Sequence, residues 1–272
     1  MSSRTAPTRL RVMREGPVCR VVLARPEVRN AFDDVFIAEL TDAFGEISGD
    51  AGVRVVLLEG EGPSFCAGAD VAWMRKAGGY SRQENREDAR RMAEMLRAID
   101  DCPRPVVVAV QGHAIGGGVG LVAAGDIAIA AEDAVFALAE VKLGILPSVI
   151  SPYVLRAIGA RCARDLFLTG DRFDAREALR IGLVHQVVPA GELSAACRRK
   201  VDSLLTSGPE AVRVAKELIG RVAGLSPGDA MDLTVETIAD RRASEEAREG
   251  LTAFLEKRAP GWAVKRSSER RE

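Results

Sequence analysis

This chain of 272 residues has no cysteine cluster, no long apolar run and no large net charge. Its cysteines are odd in number and scattered, and none belongs to a CxxC pair or a Cys/His cluster; they are Cys19, Cys66, Cys102, Cys162 and Cys197. This spacing excludes a zinc site and the disulfide framework of small secreted proteins. We therefore expect reduced thiols, no bound metal and a cytoplasmic location.

The charges and the hydropathy pattern exclude further classes of protein. Charged residues make up 28% of the chain but nearly cancel, to a formal net charge of -1, so it lacks the overall basic character of a nucleic-acid-binding domain. No stretch approaches the ~20 continuous apolar residues of a membrane-spanning helix. The opening segment MSSRTAPTRLRVMREG also lacks the apolar centre of a secretory signal. We expect neither nucleic acid nor a membrane as a partner.

The most informative stretch is residues 105–120, PVVVAVQGHAIGGGVG. Its valine-rich run predicts a strand covered on both faces at 106–110, although so short a run also fits a buried helical turn. The small apolar residues 119–124 predict a buried helix that ends at Gly125. Between them, Gly116 to Gly118 strip the first helical turn of side chains, so its free N–H groups and the helix dipole favour an anion. Close packing of a helix on a strand also requires glycine, so the pattern alone leaves both interpretations open.

A second junction of this kind comes earlier, at SFCAGAD, residues 64–70. It follows a predicted buried strand at 53–58 and precedes a predicted helix at 71–76. Strand-to-helix junctions of an open parallel sheet gather at one edge, where ligands bind. We therefore expect the backbone N–H groups of Ala69 and Gly117 to point at one place and form an oxyanion hole.

Glu140 is the third feature, because it follows the next predicted strand, 135–138, in almost wholly apolar surroundings. A carboxylate in such company is either exposed at a turn or buried for a purpose, and we favour a functional role. Two N–H donors and one carboxylate suffice for proton chemistry beside a carbonyl such as that of a thioester.

The remaining pattern predicts an α/β protein in two parts. A hairpin at 10–13 and 18–23, a helix at 31–47 capped by Asn30, and a charged helix at 82–99 precede the central strand, and alternating strands and helices predict a parallel sheet. We place the first domain at 1–190. The second, at 191–272, consists of helices at 191–206, 209–222, 227–242 and 244–257 followed by a polar, disordered tail at 267–272. The apolar faces of these helices suggest burial against a partner subunit.

Four ordered motifs resemble those of the crotonase, or enoyl-CoA hydratase/isomerase, superfamily: FCAGAD, GHAIGGGVGL, FALAEVKLGILP and LTGDRFDAREALRIGLVHQVV. The resemblance extends from ARPEVRNAF to the C-terminal FLEKR and so covers nearly the whole chain. It implies a spiral of ββα units with a C-terminal helical trimerisation domain, assembled as a homotrimer or as a hexamer of two trimers. It also implies an acyl-CoA substrate, with coenzyme A as part of the substrate and no separate cofactor.

The resemblance assigns roles to individual residues. It makes Ala69 and Gly117 the oxyanion-hole donors and Glu140 the acid–base catalyst. Phe254 and Lys257 match family residues near the CoA head, and Arg25 is a weaker candidate for CoA contact. The remaining residues assigned to substrate binding are Ala67, Gly68, Asp70, Trp73, Gly116, Gly120 and Ser148.

Other side chains near these motifs have structural interpretations. Asp70 is also a candidate helix cap, and Trp73 and Met74 either line an acyl pocket or pack their helix. His113 fits a hydrogen-bonding residue in a turn, and Cys66 fits a small buried hydrophobe, since no His or cation stands beside it in the sequence.

Gly120 is a departure from the family pattern, because typical family hydratases carry a first catalytic glutamate at this position. Glu140 alone could activate water and then donate the proton, which would give a hydratase. It could instead move one proton between the α and γ carbons, which would give a double-bond isomerase. A third possibility is a crotonase-like protein that binds acyl-CoA without catalysis.

The segment after Gly144, ILPSVISPYVLRAIG, replaces a glycine-rich stretch of ordinary short-chain hydratases. With GGGVGLVAAGDIAIA it looks most like the bacterial branch associated with methylglutaconyl-CoA and related branched glutaconyl-CoA hydratases. Such substrates carry a distal carboxylate, for which Ser148, Ser151 or Arg156 are candidate partners. We therefore expect a hydro-lyase with a branched, carboxylated acyl-CoA as substrate.

Overall fold

The computed structural model describes residues 8–263, so the predicted polar tail at 267–272 lies outside the described residues. The chain begins with the predicted hairpin. Strand β1 (Leu10–Glu15) pairs antiparallel with β2 (Val18–Leu23), and Gly16 turns the chain with a φ of 60°. Positive φ costs glycine little because it has no Cβ.

Four parallel strands extend this hairpin into a six-stranded sheet. They are β3 (Val55–Gly60), β4 (Val106–Val110), β6 (Ile127–Ala131) and β9 (Gln186–Val188), in the order β1-β2-β3-β4-β6-β9. All five residues of β4 are buried, as its unbroken apolar run predicts for a strand covered on both faces.

A second, three-stranded sheet lies beside the first and was not predicted. Strand β7 (Val135–Ala137) lies at its centre, parallel to β5 (His113–Ile115) and antiparallel to β8 (Arg172–Asp174). Strands of three residues are too short for hydrophobic alternation to reveal. The predicted strand at 135–138 therefore exists, but it belongs to this smaller sheet.

The helices of the first part pack around these sheets. They are α1 (Asp34–Gly49), α2 (Val71–Ala77), α3 (Arg82–Asp100), α4 (Gly117–Ala124), α5 (Ser151–Thr169), which is interrupted at Gly159, and α6 (Ala175–Arg180). Every residue of α4 is buried, which accounts for its small apolar sequence. Helix α3 buries Met95, Leu96 and Ile99 and, apart from the buried Asp88, turns its charges outward.

The predicted cap of α1 is wrong. The Asp33 carboxylate accepts the Phe36 N–H at 2.8 Å and caps this helix. Asn30 instead lies fully buried with a φ of 55°. Its side chain accepts the Arg25 N–H at 2.8 Å and donates to the carbonyls of Glu61 and Ser64 at 2.9 and 2.8 Å. One amide thus joins its own segment to the loop that follows β3, which sequence spacing could not indicate.

The C-terminal helices differ in burial. Helix α7 (Leu193–Leu205) packs Leu193, Cys197 and Val201 against the six-stranded sheet, so the boundary proposed at 190 precedes a helix that covers this sheet. Helices α8 (Pro209–Val222) and α9 (Pro227–Ala243) contain no buried residue, and α10 (Glu245–Leu255) contains one, Ala253. Several large apolar side chains on α8–α10 are exposed, including Ile219, Met231, Val235, Leu251, Phe254 and Leu255. Burial of these faces against a partner stays a prediction.

Lys216 connects α8 to the amino ends of the parallel strands. Its ammonium group donates to the Asp126 carboxylate at 2.7 Å and to the Arg104 carbonyl at 3.3 Å. Asp126 also accepts the Val106 N–H at 2.7 Å, so it anchors the starts of β4 and β6. Burial raises the pKa of Asp126, and Lys216 opposes that shift. Among residues 8–263, no helix is both long and apolar enough to cross a bilayer.

Replacing Lys216 by Met is expected to lower the free energy of unfolding by about 1–3 kcal/mol, because it leaves a buried carboxylate without its cation. Lys76→Met is the matched control, since Lys76 pairs with Asp34 at 3.5 Å on the surface and such exposed pairs contribute roughly 0–1 kcal/mol. Urea denaturation of both variants measures the difference. Equal losses would contradict an anchoring role for Lys216.

Candidate active site

The candidate site is built on the turn between β5 and α4. Gly116 follows strand β5 and has a φ of 53°, and α4 begins at the next residue, Gly117. The Gly116 N–H donates to the Ala137 carbonyl at 2.8 Å, which ties this turn to the end of β7. The N–H of Gly117 then stands in the first turn of the helix, where no carbonyl of the helix can accept it.

The loop that carries Ala69 packs against the same turn. Phe32 donates to the Gly68 carbonyl and accepts from the Asp70 N–H, both at 2.9 Å, so Ala69 is held with its N–H facing away from Phe32. The Ile115 N–H donates to the Cys66 carbonyl at 3.0 Å. Among residues 8–263, neither the Ala69 N–H nor the Gly117 N–H finds an acceptor. Two free backbone donors on adjoining segments are the arrangement expected of an oxyanion hole.

Close approach requires glycine on both sides of this contact. A Cβ on Gly68, whose φ is 89°, would lie 2.7 Å from the Ile115 carbonyl oxygen. A Cβ on Gly118 would overlap the Cys66 carbonyl oxygen. The two loops can therefore meet only because side chains are absent there.

Glu140 lies against this turn, in the 3-10 turn Ala139–Leu143 that follows β7. A Cβ on Gly116 would be 2.9 Å from Glu140 Oε1 and 3.3 Å from its Cδ, so the carboxylate occupies the space beside the Gly116 backbone. Its Oε2 is buried without a hydrogen-bond partner among the described residues. Burial raises the pKa of Glu140, and its own backbone N–H opposes the shift. The carboxylate is thus desolvated and free to exchange a proton.

Apolar side chains cover the rest of the glycine-rich helix. A Cβ on Gly117 would lie 2.6 Å from Phe32 Cε1 and 2.9 Å from Met92 Cε, and the Trp73 ring meets Phe32 edge-on at 5.8 Å between centroids. Gly120 faces Ile150 and, farther away, Leu96. The site therefore combines two free N–H groups and one carboxylate with hydrocarbon walls.

Comparison with known proteins agrees with this geometry. Residues 13–265 match the family model described as enoyl-CoA hydratase/isomerase. The chain belongs to the enoyl-CoA hydratase/isomerase family. A crotonyl-CoA hydratase from Syntrophomonas wolfei is 34% identical over 254 residues, which are 93% of this chain and 96% of the relative. A short-chain-enoyl-CoA hydratase from Clostridium acetobutylicum is 34% identical over 247 residues, covering 90% and 94%.

Solved structures show the same fold. The crystal structure of an enoyl-CoA hydratase from Shewanella pealeana superposes with a TM-score of 0.90 and 41% identity, covering 93% of this chain and 96% of that one. The expected crotonase fold and family are thus confirmed. As a member of this family the protein is an enoyl-CoA hydratase-type enzyme, a hydro-lyase.

Two residues assigned to substrate binding are engaged within the protein. The Asp70 carboxylate accepts the Ala72 N–H at 2.8 Å and caps α2. It also pairs with Arg25 at 2.9 Å, and Arg25 in turn lies 3.3 Å from Asp33 and donates to the Ala31 carbonyl. The Arg25 side chain is only 11% exposed. This pair ties the segment before α1 to the Ala69 loop, and little of the guanidinium faces solvent. A substrate-binding role for Arg25 and Asp70 stays a prediction.

Phe254 and Lys257 lie at the C-terminal end of the described residues. Phe254, on α10, is 79% exposed. Farther along the chain, the Trp262 carbonyl accepts a hydrogen bond from Arg54, next to the amino end of β3, at 2.6 Å. Contact of Phe254 and Lys257 with CoA stays a prediction.

The three candidate partners of a carboxylate at the far end of the acyl group do not lie together in the structure. Arg156 pairs with Asp100 at 3.1 Å and lines a cavity of about 790 Å³ beside α8, with Asp126 and Lys216, so it does not belong to the Glu140 site. Ser148 is exposed, and Ser151 is the first residue of α5. Both serines lie in the segment that joins Glu140 to α5.

The remaining candidates behave as structural residues. His113 Nδ1 lies 3.2 Å from Ser64 Oγ, and burial raises the pKa of the Cys66 thiol to about 12. Trp73 meets Phe32, whereas the loop residue Ala67 donates its N–H to the Arg29 carbonyl at 2.9 Å. No cluster of three or more His, Cys, Asp or Glu suited to a metal occurs within residues 8–263.

The apolar side chains that contact the glycines of α4 were not predicted as part of the site. The main ones are Phe32, Met92 and Ile150. They come from three separate segments, and the only signal in the sequence is the number of glycines in α4. Their positions depend on how α1, α3 and the 139–150 segment pack around that helix.

Glu140→Gln is expected to stabilise the protein at neutral pH, because the buried carboxylate lacks a partner for Oε2. A folded-state pKa raised above the ordinary 4.5 means that ionised Glu140 costs stability above that raised pKa, and the cost disappears as the pH falls through it. The melting temperature of the variant should therefore exceed that of the wild type at pH 7.5, and the difference should shrink on acidification. A variant that is less stable at neutral pH would show that the carboxylate is compensated.

Proposed function

We propose that this protein catalyses reversible syn addition of water to the C2=C3 double bond of an α,β-unsaturated acyl-CoA. The preferred substrate is a branched glutaconyl-type thioester such as 3-methylglutaconyl-CoA. The observation that carries this proposal is the buried Glu140 carboxylate, with an unpartnered oxygen, beside the Gly116–Gly117 turn and its free N–H.

The thioester oxygen would accept the N–H groups of Ala69 and Gly117. Attack at C3 moves the C2=C3 electron pair toward this oxygen, which becomes an enolate. Donors aimed at such an oxygen stabilise the charge as it develops, and the loss of one typically costs ~10²–10³ in rate. The positive end of the α4 dipole acts in the same direction.

Glu140 would carry both protons. Its carboxylate takes a proton from water as the water oxygen bonds to C3, and the resulting carboxylic acid gives a proton to C2 as the enolate collapses and restores the carbonyl. Water is thereby divided between C3 and C2, and Glu140 returns to its starting form. Because one side chain serves both carbons, both groups arrive on the same face of the double bond.

The walls of the site support a branched, carboxylated acyl group. Ile150 and Leu96 make the region at Gly120 apolar, which suits an alkyl branch. The segment then continues through Ser151 into α5, whose amino end has no side-chain cap. A helix amino terminus favours a carboxylate, so the distal carboxylate of a glutaconyl group would find its partners there, with Ser148 and Ser151 nearby.

Double-bond isomerisation is the second candidate, and the lone carboxylate favours it. With glycine at position 120, Glu140 could take a proton from C4 of a 3-enoyl-CoA and return it to C2, moving the double bond without water. The oxyanion hole would serve this reaction equally well. Neither reaction requires a metal or redox cofactor, since coenzyme A belongs to the substrate.

Assembly into a homotrimer or a hexamer remains part of this proposal. The apolar side chains exposed on α8–α10 would be covered by a neighbouring copy. Phe254 and Lys257 would then contact the CoA bound to that copy, with the lysine near a phosphate.

Wild-type protein is expected to add the mass of water to 3-methylglutaconyl-CoA faster than to crotonyl-CoA. Glu140→Gln should lower this turnover by at least about 10²-fold, because the general acid–base group is lost. Glu94→Gln, at an exposed position of α3, is the matched control and should retain activity. Mass-resolved assays of both substrates and of a 3-enoyl-CoA provide the measurement.

The alternatives give different results in the same assay. A shifted double bond in the 3-enoyl-CoA with no mass gain on any substrate would replace the hydratase by the isomerase. Turnover of crotonyl-CoA equal to or above that of 3-methylglutaconyl-CoA would remove the branched preference. Binding of acyl-CoA with no turnover at all would leave a non-catalytic protein.

The pH dependence of hydration should report the ionisation of Glu140. Water activation needs the carboxylate, and burial raises its pKa above 4.5, so kcat/KM is expected to fall on acidification with a midpoint above that value. The residual activity of Glu140→Gln should lack this acid limb. If kcat/KM of Glu140→Gln still falls on acidification as it does in the wild type, the fall belongs to the ionisation of another group.

A further inference from the structure

Gly120 and Ile150 compete for one space. A Cβ built on Gly120 would overlap the Cγ2 methyl of Ile150 and would lie 2.9 Å from its Cβ. Leu96 Cδ2 follows at 3.6 Å. No side chain, acidic or otherwise, fits at position 120 while Ile150 stands there.

This space borders the reacting groups. Gly117 and Gly120 are three residues apart in α4, so they lie on one helix face with about 5–6 Å between their Cβ positions. Glu140 covers Gly116, immediately before them. Glu140 and Ile150 also belong to one connection, the segment between β7 and α5.

Ile150 is held in place by backbone hydrogen bonds at the start of α5. Its carbonyl accepts the N–H groups of Tyr153 and Val154 at 3.2 and 3.1 Å, at the start of α5. The residue is 2% exposed, so Ile150 is packed in the interior beside Gly120 and does not project into solvent. Loss of its Cγ2 would open space at that place.

We propose that Ile150 is a specificity-determining residue. By filling the space above Gly120, it places a hydrocarbon surface beside Glu140. This surface receives the alkyl substituent on C3 of the acyl group. The preference for a C3 branch rests on the proposed function. The packing relation between positions 120 and 150 does not.

The packing of Ile150 against Gly120 is tested by one substitution, Gly120→Ala, whose effect on the melting temperature should change sign when Ile150 is removed. Gly120→Ala should lower the melting temperature of the wild type, because the new methyl collides with Ile150. In an Ile150→Gly background the same change should raise the melting temperature, because the space is empty and alanine is the better helix former. Gly118→Ala is the matched control: its methyl would overlap the Cys66 carbonyl oxygen, so it should lower the melting temperature in both backgrounds.

The specificity is tested with substrates that differ only by the C3 methyl. The ratio of kcat/KM for 3-methylglutaconyl-CoA to that for glutaconyl-CoA should fall about tenfold or more in Ile150→Gly, as expected for one methyl group in a hydrophobic pocket. Ile150→Val keeps the Cγ2 methyl and should hold the ratio within about threefold of the wild type. Ile150→Ala also loses Cγ2 and replaces Ile150→Gly if the glycine variant does not fold.

Each result has a definite meaning. A ratio that falls together with the reversal of sign supports the proposal. An unchanged ratio in Ile150→Gly or Ile150→Ala, or a Gly120→Ala effect of the same sign in both backgrounds, overturns it. If the wild type converts neither glutaconyl substrate, the ratio of 3-methylcrotonyl-CoA to crotonyl-CoA carries the same test, so the role of Ile150 and the carboxylated substrate can fail separately.

Discussion

The close approach of four chain segments to Gly116 and the backbone of α4 is the constraint on which the site depends. Each glycine there has a different neighbour: Glu140 at Gly116, Phe32 and Met92 at Gly117, the Cys66 carbonyl at Gly118, and Ile150 at Gly120. A methyl group at any of these positions would displace its neighbour. The glycines therefore do more than free the N–H groups of the first turn; they let the acid, the walls and the Ala69 loop reach one another.

Glu140 shows how stability and chemistry oppose each other in this arrangement. Burial beside Gly116 raises its pKa and leaves one oxygen without a hydrogen bond, which destabilises the ionised form. The same desolvation suits a group that must take up and release a proton in one catalytic cycle. The Ala69 loop is held separately from Glu140, by the ion pair of Arg25 with Asp70.

Much of the fold could be predicted from the sequence where elements are long or strongly patterned. The hairpin, the valine strand β4, the charged helix α3 and the helices after residue 190 all occur where the pattern placed them. Strands β5 and β8 were missed because three residues carry no usable periodicity. Asn30 was mistaken for a helix cap because two of its three partners lie in a loop more than thirty residues away in the sequence.

The sequence by itself determined the candidate groups of the site: the glycine-rich turn, the Ala69 loop and the lone Glu140. Their residue types and order along the chain suffice, because backbone donors at strand-to-helix junctions gather at one sheet edge. Only the tertiary structure decided what surrounds them. It paired Arg25 with Asp70, left Phe254 exposed on α10, and put Ile150 in the space of the missing side chain at 120. These outcomes depend on packing between segments distant in sequence, which local pattern does not encode.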